Sequence, residues 1–400
     1  MTATSTSNEN PMNKSYKLAP NSAIARVCLA FLATAGIFYV NIMPALVNGL
    51  KEGLMFTNQQ AGFVSSANLY GAAIGSFAAV LMIKKINWRR WSYGLLMSLL
   101  VIDLLCVYIE SASVMIAVRG LHGITGGLLV GIGFCIMSRT TESDKTFGYL
   151  LFIQWGLGGL GIMYLPAMVP VYGTGILFIS LIAFTLITLL MLPFLPSYPV
   201  SKESSSTAKS KVLTLPLMLT LAAIFLFQAA NMGLFAYVIG LGKAEGLSLD
   251  FMSPALAMAS WIALLGSFLV IIIGTKFGRS LPILLSVMLT AICTWLLHYS
   301  EVESIYLITN VVIGITWAFA LSYLFGLCSE FDKAGQMAAL GGFASKMGLA
   351  SGPMVAAMLL GDDHYGLVIN ISAMALIACA LIAMQPAITI DKRISRGQNS

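Results

Sequence analysis

The chain has 400 residues, 58% of them hydrophobic and only 10% charged, with 22 basic against 16 acidic side chains and a net charge of +6. A soluble domain carries about 25% Asp, Glu, Lys and Arg, because its surface must be wetted. The composition therefore excludes a soluble enzyme, a nucleic-acid binder and a secreted disulfide scaffold, and leaves an all-α, polytopic membrane protein.

Residues 1–22 are polar, rich in Ser, Thr and Asn, and read as a disordered tail. The apolar run that follows is too long for a signal-peptide core and has no small-residue cleavage pattern, so it reads as a retained first span. A spanning helix needs about 20 apolar residues. Runs of that kind fall near 23–48, 59–83, 91–109, 113–137, 148–170 and 172–195, and then near 215–240, 253–274, 281–298, 303–327, 337–360 and 364–386. The prediction is twelve helices: a six-helix bundle over 23–196, a Ser/Lys-rich linker over 197–213, a second bundle over 214–387 and a tail over 388–400.

Of the 22 Lys and Arg, 18 fall on the side that holds both termini, Lys51 and Lys243 fall in loops on the other side, and Arg119 and Lys346 lie inside spans. The positive-inside rule makes the first side cytoplasmic. No Asn-x-Ser/Thr acceptor falls in an outer loop, which fits a bacterial inner membrane. The six cysteines lie in or beside apolar runs, without CxxC spacing or nearby His, and read as small buried hydrophobes. No metal and no cofactor is expected.

The two halves repeat. KKINWRR (84–90) follows the second span and TKFGRS (275–280) the eighth; ESDKTFG (142–148) follows the fourth and EFDKAGQ (330–336) the tenth, at nearly the same offset. On these residues the chain resembles the major facilitator superfamily, whose loop after the second helix is G-x-x-x-D-(R/K)-x-G-R-(R/K), with a fainter copy after the eighth. Thr275 to Arg279 match that copy with Thr for Asp, and the first copy has Lys84 where the family has Asp. Arg119 to Gly123 resemble the R-x-x-x-G element of the fourth helix, and Gly348, Gly352 and Pro353 resemble G-x-x-x-G-P. The resemblance implies two pseudo-symmetric six-helix bundles that alternate access to a central cavity lined by the first, fourth, seventh and tenth helices.

Ionisable residues at membrane depth are expensive and mark function by default. Four lie deep here: Asp103, Arg119, His122 and Lys346. Asp103 and Arg119 are equally far from the turn near Ser111, so an antiparallel hairpin sets them at one depth. They form either a structural clip, or a cavity-facing arginine with Asp103 as a proton carrier. His122 either hydrogen-bonds a neighbour or takes part in proton coupling or substrate contact. Lys346 has no acidic residue within two helical turns, so it anchors an anionic substrate in a wet cavity, packs helices, or serves coupling alone.

Under the resemblance, Asn41, Arg119, His122, Gln228, Asn231 and Trp317 line the cavity beside Lys346; Asn68 and Gln154 are further polar residues at mid-depth. Lys84, Lys85, Arg89, Arg90, Lys276 and Arg279 form a cytoplasmic gate, held by helix C-termini and by Glu142, Asp144, Glu330 and Asp332, or else serve topology and anionic lipid. The chain has no Walker A sequence and no HExxH, so neither ATP nor zinc hydrolysis is indicated. The expected function is secondary transport of a small organic solute, an organic anion first, by a monomer coupled to protons or a second solute. Efflux of drugs or metabolites, and a non-transporting sensor or assembly protein on the same fold, remain as alternatives.

Overall fold

The computed structural model describes residues 17–82, 86–140, 143–198, 214–331, 336–361 and 364–397. Fifteen α-helices follow the predicted runs in order: α1 (Ala23–Ala35), α2 (Phe38–Asn41), α3 (Met43–Gly53), α4 (Asn58–Met82), α5 (Trp88–Cys106), α6 (Ala112–Met137), α7 (Ser143–Tyr172) and α8 (Gly175–Met191) in the first half, then α9 (Leu215–Ala244), α10 (Leu249–Ile262), α11 (Leu264–Ile273), α12 (Ser280–Leu296), α13 (Glu303–Ser329), α14 (Gln336–Leu360) and α15 (Tyr365–Gly397) in the second. Nine of the helical segments among the described residues are long and apolar enough to cross a bilayer. The other three predicted runs are also helical. Of these, α4 is thinned by Asn58, Gln59, Gln60 and Asn68, and α5 carries Arg89, Arg90 and Asp103.

The third is the first run, and here the structure departs from the expected single helix. It is three pieces, with breaks at Gly36–Ile37 and at Ile42. Pro44 has no N–H to donate and its ring clashes with the carbonyl one turn back, so the helix restarts at Met43. At the other break the chain packs tightly on α6: a Cβ at Gly36 would lie 2.2 Å from the carbonyl oxygen of Gly126, so the two backbones touch. The result is a single isolated turn, α2, at mid-depth.

The packing pairs of the first half recur in the second. The contacts α1·α7, α1·α8, α5·α6 and α5·α8 have counterparts in α9·α14, α9·α15, α12·α13 and α12·α15. This is the two-fold arrangement that the loop repeat predicted. The halves meet along α4·α14, α7·α10 and α3·α9.

One end of the molecule holds Arg89, Arg139, Arg279 and Lys392 and is called the basic end. The other, the far end, is tied shut. There the Tyr237 hydroxyl donates to the Asn58 carbonyl at 2.6 Å, the Asn58 amide donates to the Gly361 carbonyl at 3.2 Å, and Lys243 pairs with Glu52. At mid-depth Tyr70 donates to Ser351 (2.7 Å), whose own hydroxyl is committed to the Met347 carbonyl. Trp261 of α10 donates to the Gly156 carbonyl of α7 at 3.1 Å.

At the basic end α15 continues to Gly397, well past the predicted limit of 386. Ile388, Thr389 and Ile390 contain no helix breaker, and Asp391 finds a partner. Its carboxylate accepts from the backbone N–H groups of Arg279 (2.9 Å) and Ser280 (2.9 Å), capping the start of α12.

Candidate substrate cavity and buried charge cluster

A cavity of about 210 Å³ lies between the halves. The first half contributes Asn41, Gln154 and Trp155, and the second contributes Asn231, Asn310 and Trp317. Most of the remaining wall is apolar. Trp155 and Trp317 come from opposite halves and meet edge to face, with ring centroids 5.3 Å apart. Trp317 is held from behind: its indole N–H donates to Gln228 Oε1 at 2.7 Å, and the Gln228 amide donates to Ser345 Oγ at 2.7 Å. This chain links α13, α9 and α14 and fixes the indole.

Lys346 follows Ser345 and is half-buried. It shares a helix face with Gly342 and Leu349, being four residues from one and three from the other. Leu349 lines the cavity, and a Cβ at Gly342 would meet nothing within 4 Å. Lys346 itself is not among the residues that line the cavity; it lies one helical turn before Leu349, which does. Among the described residues no carboxylate forms an ion pair with Lys346.

Of the residues expected to line the cavity, Asn41, Asn231 and Trp317 do so, and Gln228 supports Trp317 one layer back. Arg119 and His122 do not line it. The Arg119 side chain is fully buried inside the first half, where Nη1 meets Asp103 Oδ1 at 2.6 Å. The guanidinium lies over the rings of Tyr39 (4.7 Å to the centroid) and Phe178 (5.6 Å). A carboxylate and two π-faces stabilise the cation where it stands, so it has no need to reach the cavity. The expected cavity-facing Arg119 is corrected to a clip between α5 and α6.

His122 belongs to the same cluster. The Asn68 amide nitrogen donates to the Arg119 carbonyl (3.2 Å), which fixes which end of that amide is nitrogen. It also lies 2.8 Å from His122 Nδ1, so Nδ1 accepts and Nε2 carries the proton. That N–H points at Asp103 Oδ1, 3.3 Å away. A neutral His122 thus completes the set Asp103–Arg119–His122–Asn68. Tyr39 closes it toward α4, 3.2 Å from Ser65 Oγ.

Among the gate residues, Arg89 donates to the Leu195 carbonyl beyond α8 and Arg279 pairs with Glu330 at 2.6 Å. Both contacts stay within one half. Arg90 and Lys276 are exposed. Lys84, Lys85, Glu142 and Asp332 lie outside the described residues, as does the Asp144 side chain.

Three functional positions were not singled out from sequence. Trp155 and Asn310 line the cavity, and Asp391 holds the 275–280 loop from a distant helix. Gly278 at φ +68° lets that carboxylate approach, since a Cβ would lie 2.7 Å from Asp391 Oδ2. Asn310 had a readable signal: with Ile313, Gly314 and Trp317 it forms a stripe of one helix face. Asp391 had none, because its partner is more than a hundred residues away.

The comparisons fit this architecture. The model of the Major Facilitator Superfamily matches residues 27–357. The nucleoside transporter NupG, crystallised as a point mutant, superposes with a TM-score of 0.73 at 13% identity, over 91% of this chain and 99% of that one. Its unmutated form gives 0.70 at 14% identity. A D-xylose–proton symporter gives 0.70 at 14%, over 89% and 96% of the two chains. Among curated proteins no relative matches. At these identities the superpositions speak for the fold, and together with the family match over most of the chain they identify this protein as a multi-pass membrane transporter belonging to the Major Facilitator Superfamily.

Proposed function

We propose that this transporter carries a small organic anion through the central cavity, with Lys346 as its electrostatic anchor. One observation supports the reading above others: a half-buried lysine one helical turn from the cavity-lining Leu349, with no carboxylate ion-paired to it among the described residues. An ammonium in that position needs an anion, water or deprotonation, and a carboxylate-bearing solute in a wet cavity meets the first two needs together. The indoles and apolar wall suit the rest of such a solute.

The bundles over 23–196 and 214–387 are the units that rock, and the linker over 197–213 joins them. With the basic end cytoplasmic, both termini are cytoplasmic in a bacterial inner membrane, and the ties at the far end support reading this conformation as inward-facing. The transporter works as a monomer, with Asp103 and His122 as the sites of proton coupling. Lys84, Lys85, Arg89, Arg90, Lys276 and Arg279 form the cytoplasmic gate, which matures when the far end opens.

Transport in proteoliposomes tests the anchor. Lys346→Gln abolishes or severely weakens uptake of radiolabelled mono- and dicarboxylates while the protein remains folded, and Lys346→Arg retains part of it. Normal uptake by the Gln variant overturns the reading.

The cavity's amides and indoles favour a second reading, an uncharged ring-bearing solute. The structural neighbours are named for nucleosides and D-xylose. Uptake of such a solute that is unchanged in Lys346→Gln would establish it.

A further inference from the structure

The polar groups of the cavity are not evenly matched. Asn231 on α9 is 8% exposed and points the nitrogen of its amide at its own helix, donating one N–H to the Phe227 carbonyl at 2.7 Å. Asn310 on α13 does the same, donating to the Tyr306 carbonyl at 2.8 Å. A carbonyl can only accept, so the orientation of both amides is settled: nitrogen toward the helix, oxygen away from it. Both residues line the cavity. Asn231 Oδ1 is buried and has no hydrogen-bond partner. Buried side-chain acceptors in folded proteins are almost always paired, and one left open at a binding wall points to a ligand.

We infer that the wall formed by α9 and α13 is an acceptor subsite, and that the transported solute presents a hydroxyl, amine or ring N–H to Asn231 Oδ1 and Asn310 Oδ1. The inference rests on the central cavity being the substrate site. It narrows the proposed anion to one with a donor group beside its acid, as in a hydroxy acid, and disfavours plain hydrocarbon carboxylates. The opposite wall imposes no such rule. Asn41 and Gln154 have both ends of their amides available among the described residues and can turn to donate or accept. Asn231 is therefore a specificity-determining residue, whose removal costs discrimination more than affinity in general.

Matched pairs test this by calorimetric titration of the full-length protein: mandelate against phenylacetate, and mandelamide against phenylacetamide. Each pair differs by one hydroxyl. The hydroxylated member of each pair binds about tenfold more tightly. In Asn231→Leu the two members converge to within about twofold, and the ligand-free variant melts at the same temperature or higher, because an unpaired buried acceptor has been removed. Lys346→Gln weakens mandelate and phenylacetate alike and leaves the amide pair unchanged. If Lys346→Gln changes nothing while hydroxyl preference persists in both pairs, the anion reading fails and the acceptor subsite stands. Equal binding within the pairs, preference that survives in Asn231→Leu, a lower melting temperature for that variant, or no binding by any of the four at about millimolar concentration overturns the acceptor subsite.

Discussion

Asp103 and Arg119 meet at 2.6 Å across the α5–α6 hairpin, sealed from solvent inside the first half. The pair is the mutual condition for either charge to exist there. Removing one partner leaves the other buried and uncompensated, which costs about 3–5 kcal/mol. Asp103→Asn should therefore lower stability by that order. Adding Arg119→Met to it should recover most of the loss. Thermal unfolding of the purified single and double variants measures this, and additive losses would show that the two charges are independent.

The far-end closure yields a second expectation. Tyr237→Phe deletes the hydroxyl's bond to the Asn58 carbonyl, a loss of about 0.5–1.5 kcal/mol. Glu52→Gln removes a partly exposed ion pair worth at most about 1 kcal/mol. Spin labels at Met55 and Glu245 should report a longer distance population in Tyr237→Phe, and little change in Glu52→Gln. An unchanged distribution in Tyr237→Phe would mean that packing alone closes this end.

A third concerns the backbone contact between Gly36 and Gly126. Gly36→Ala places a methyl 2.2 Å from the Gly126 carbonyl oxygen, and Gly126→Ala places one 2.4 Å from that of Gly36. Overpacking of this kind costs about 1–3 kcal/mol. Once α1 and α6 have been pushed apart by one methyl, the second adds little, so the double variant should be clearly less destabilised than the sum. Chemical denaturation of the three variants checks this.

At the basic end, Asp391→Ala removes the acceptor for two backbone N–H groups at the start of α12. The loss should be about 0.5–2 kcal/mol, as for other N-terminal caps. Hydrogen exchange should show faster opening confined to the first turn of α12. Arg279→Ala breaks the Glu330 pair instead and should slow transport if the basic loop acts as a gate. Transport at normal rates in that variant removes the gating role.

The architecture was readable because membrane spans announce themselves by length and apolarity, and loops by their charges. The Asp103–Arg119 pair was readable for a related reason: equal distance from one turn fixes equal depth in a hairpin. Depth, however, does not fix azimuth. Nothing in the sequence says that Arg119 turns toward Tyr39 and Phe178 and away from the cavity, because those rings come from the first and sixth runs. The close approach at Gly36 was hidden for the same reason, since it depends on Gly126 arriving opposite. Trp155 and Asn310 escaped notice because an indole or an amide in an apolar run looks like packing until the opposing half is in place.

The closure at the far end has a consequence for how the two faces of the membrane sense the same solute. A cavity reachable from one side only in a minor conformer binds from that side with its intrinsic dissociation constant divided by the population of that conformer. If the Tyr237–Asn58–Gly361 bonds leave about one molecule in a hundred open at the far end, half-saturation from that side requires about a hundred times the intrinsic concentration. Sidedness of apparent affinity then arises from residues that never touch the solute. Loosening Tyr237 would strengthen apparent binding from the far side and weaken it from the basic side, with every side chain of the cavity unchanged.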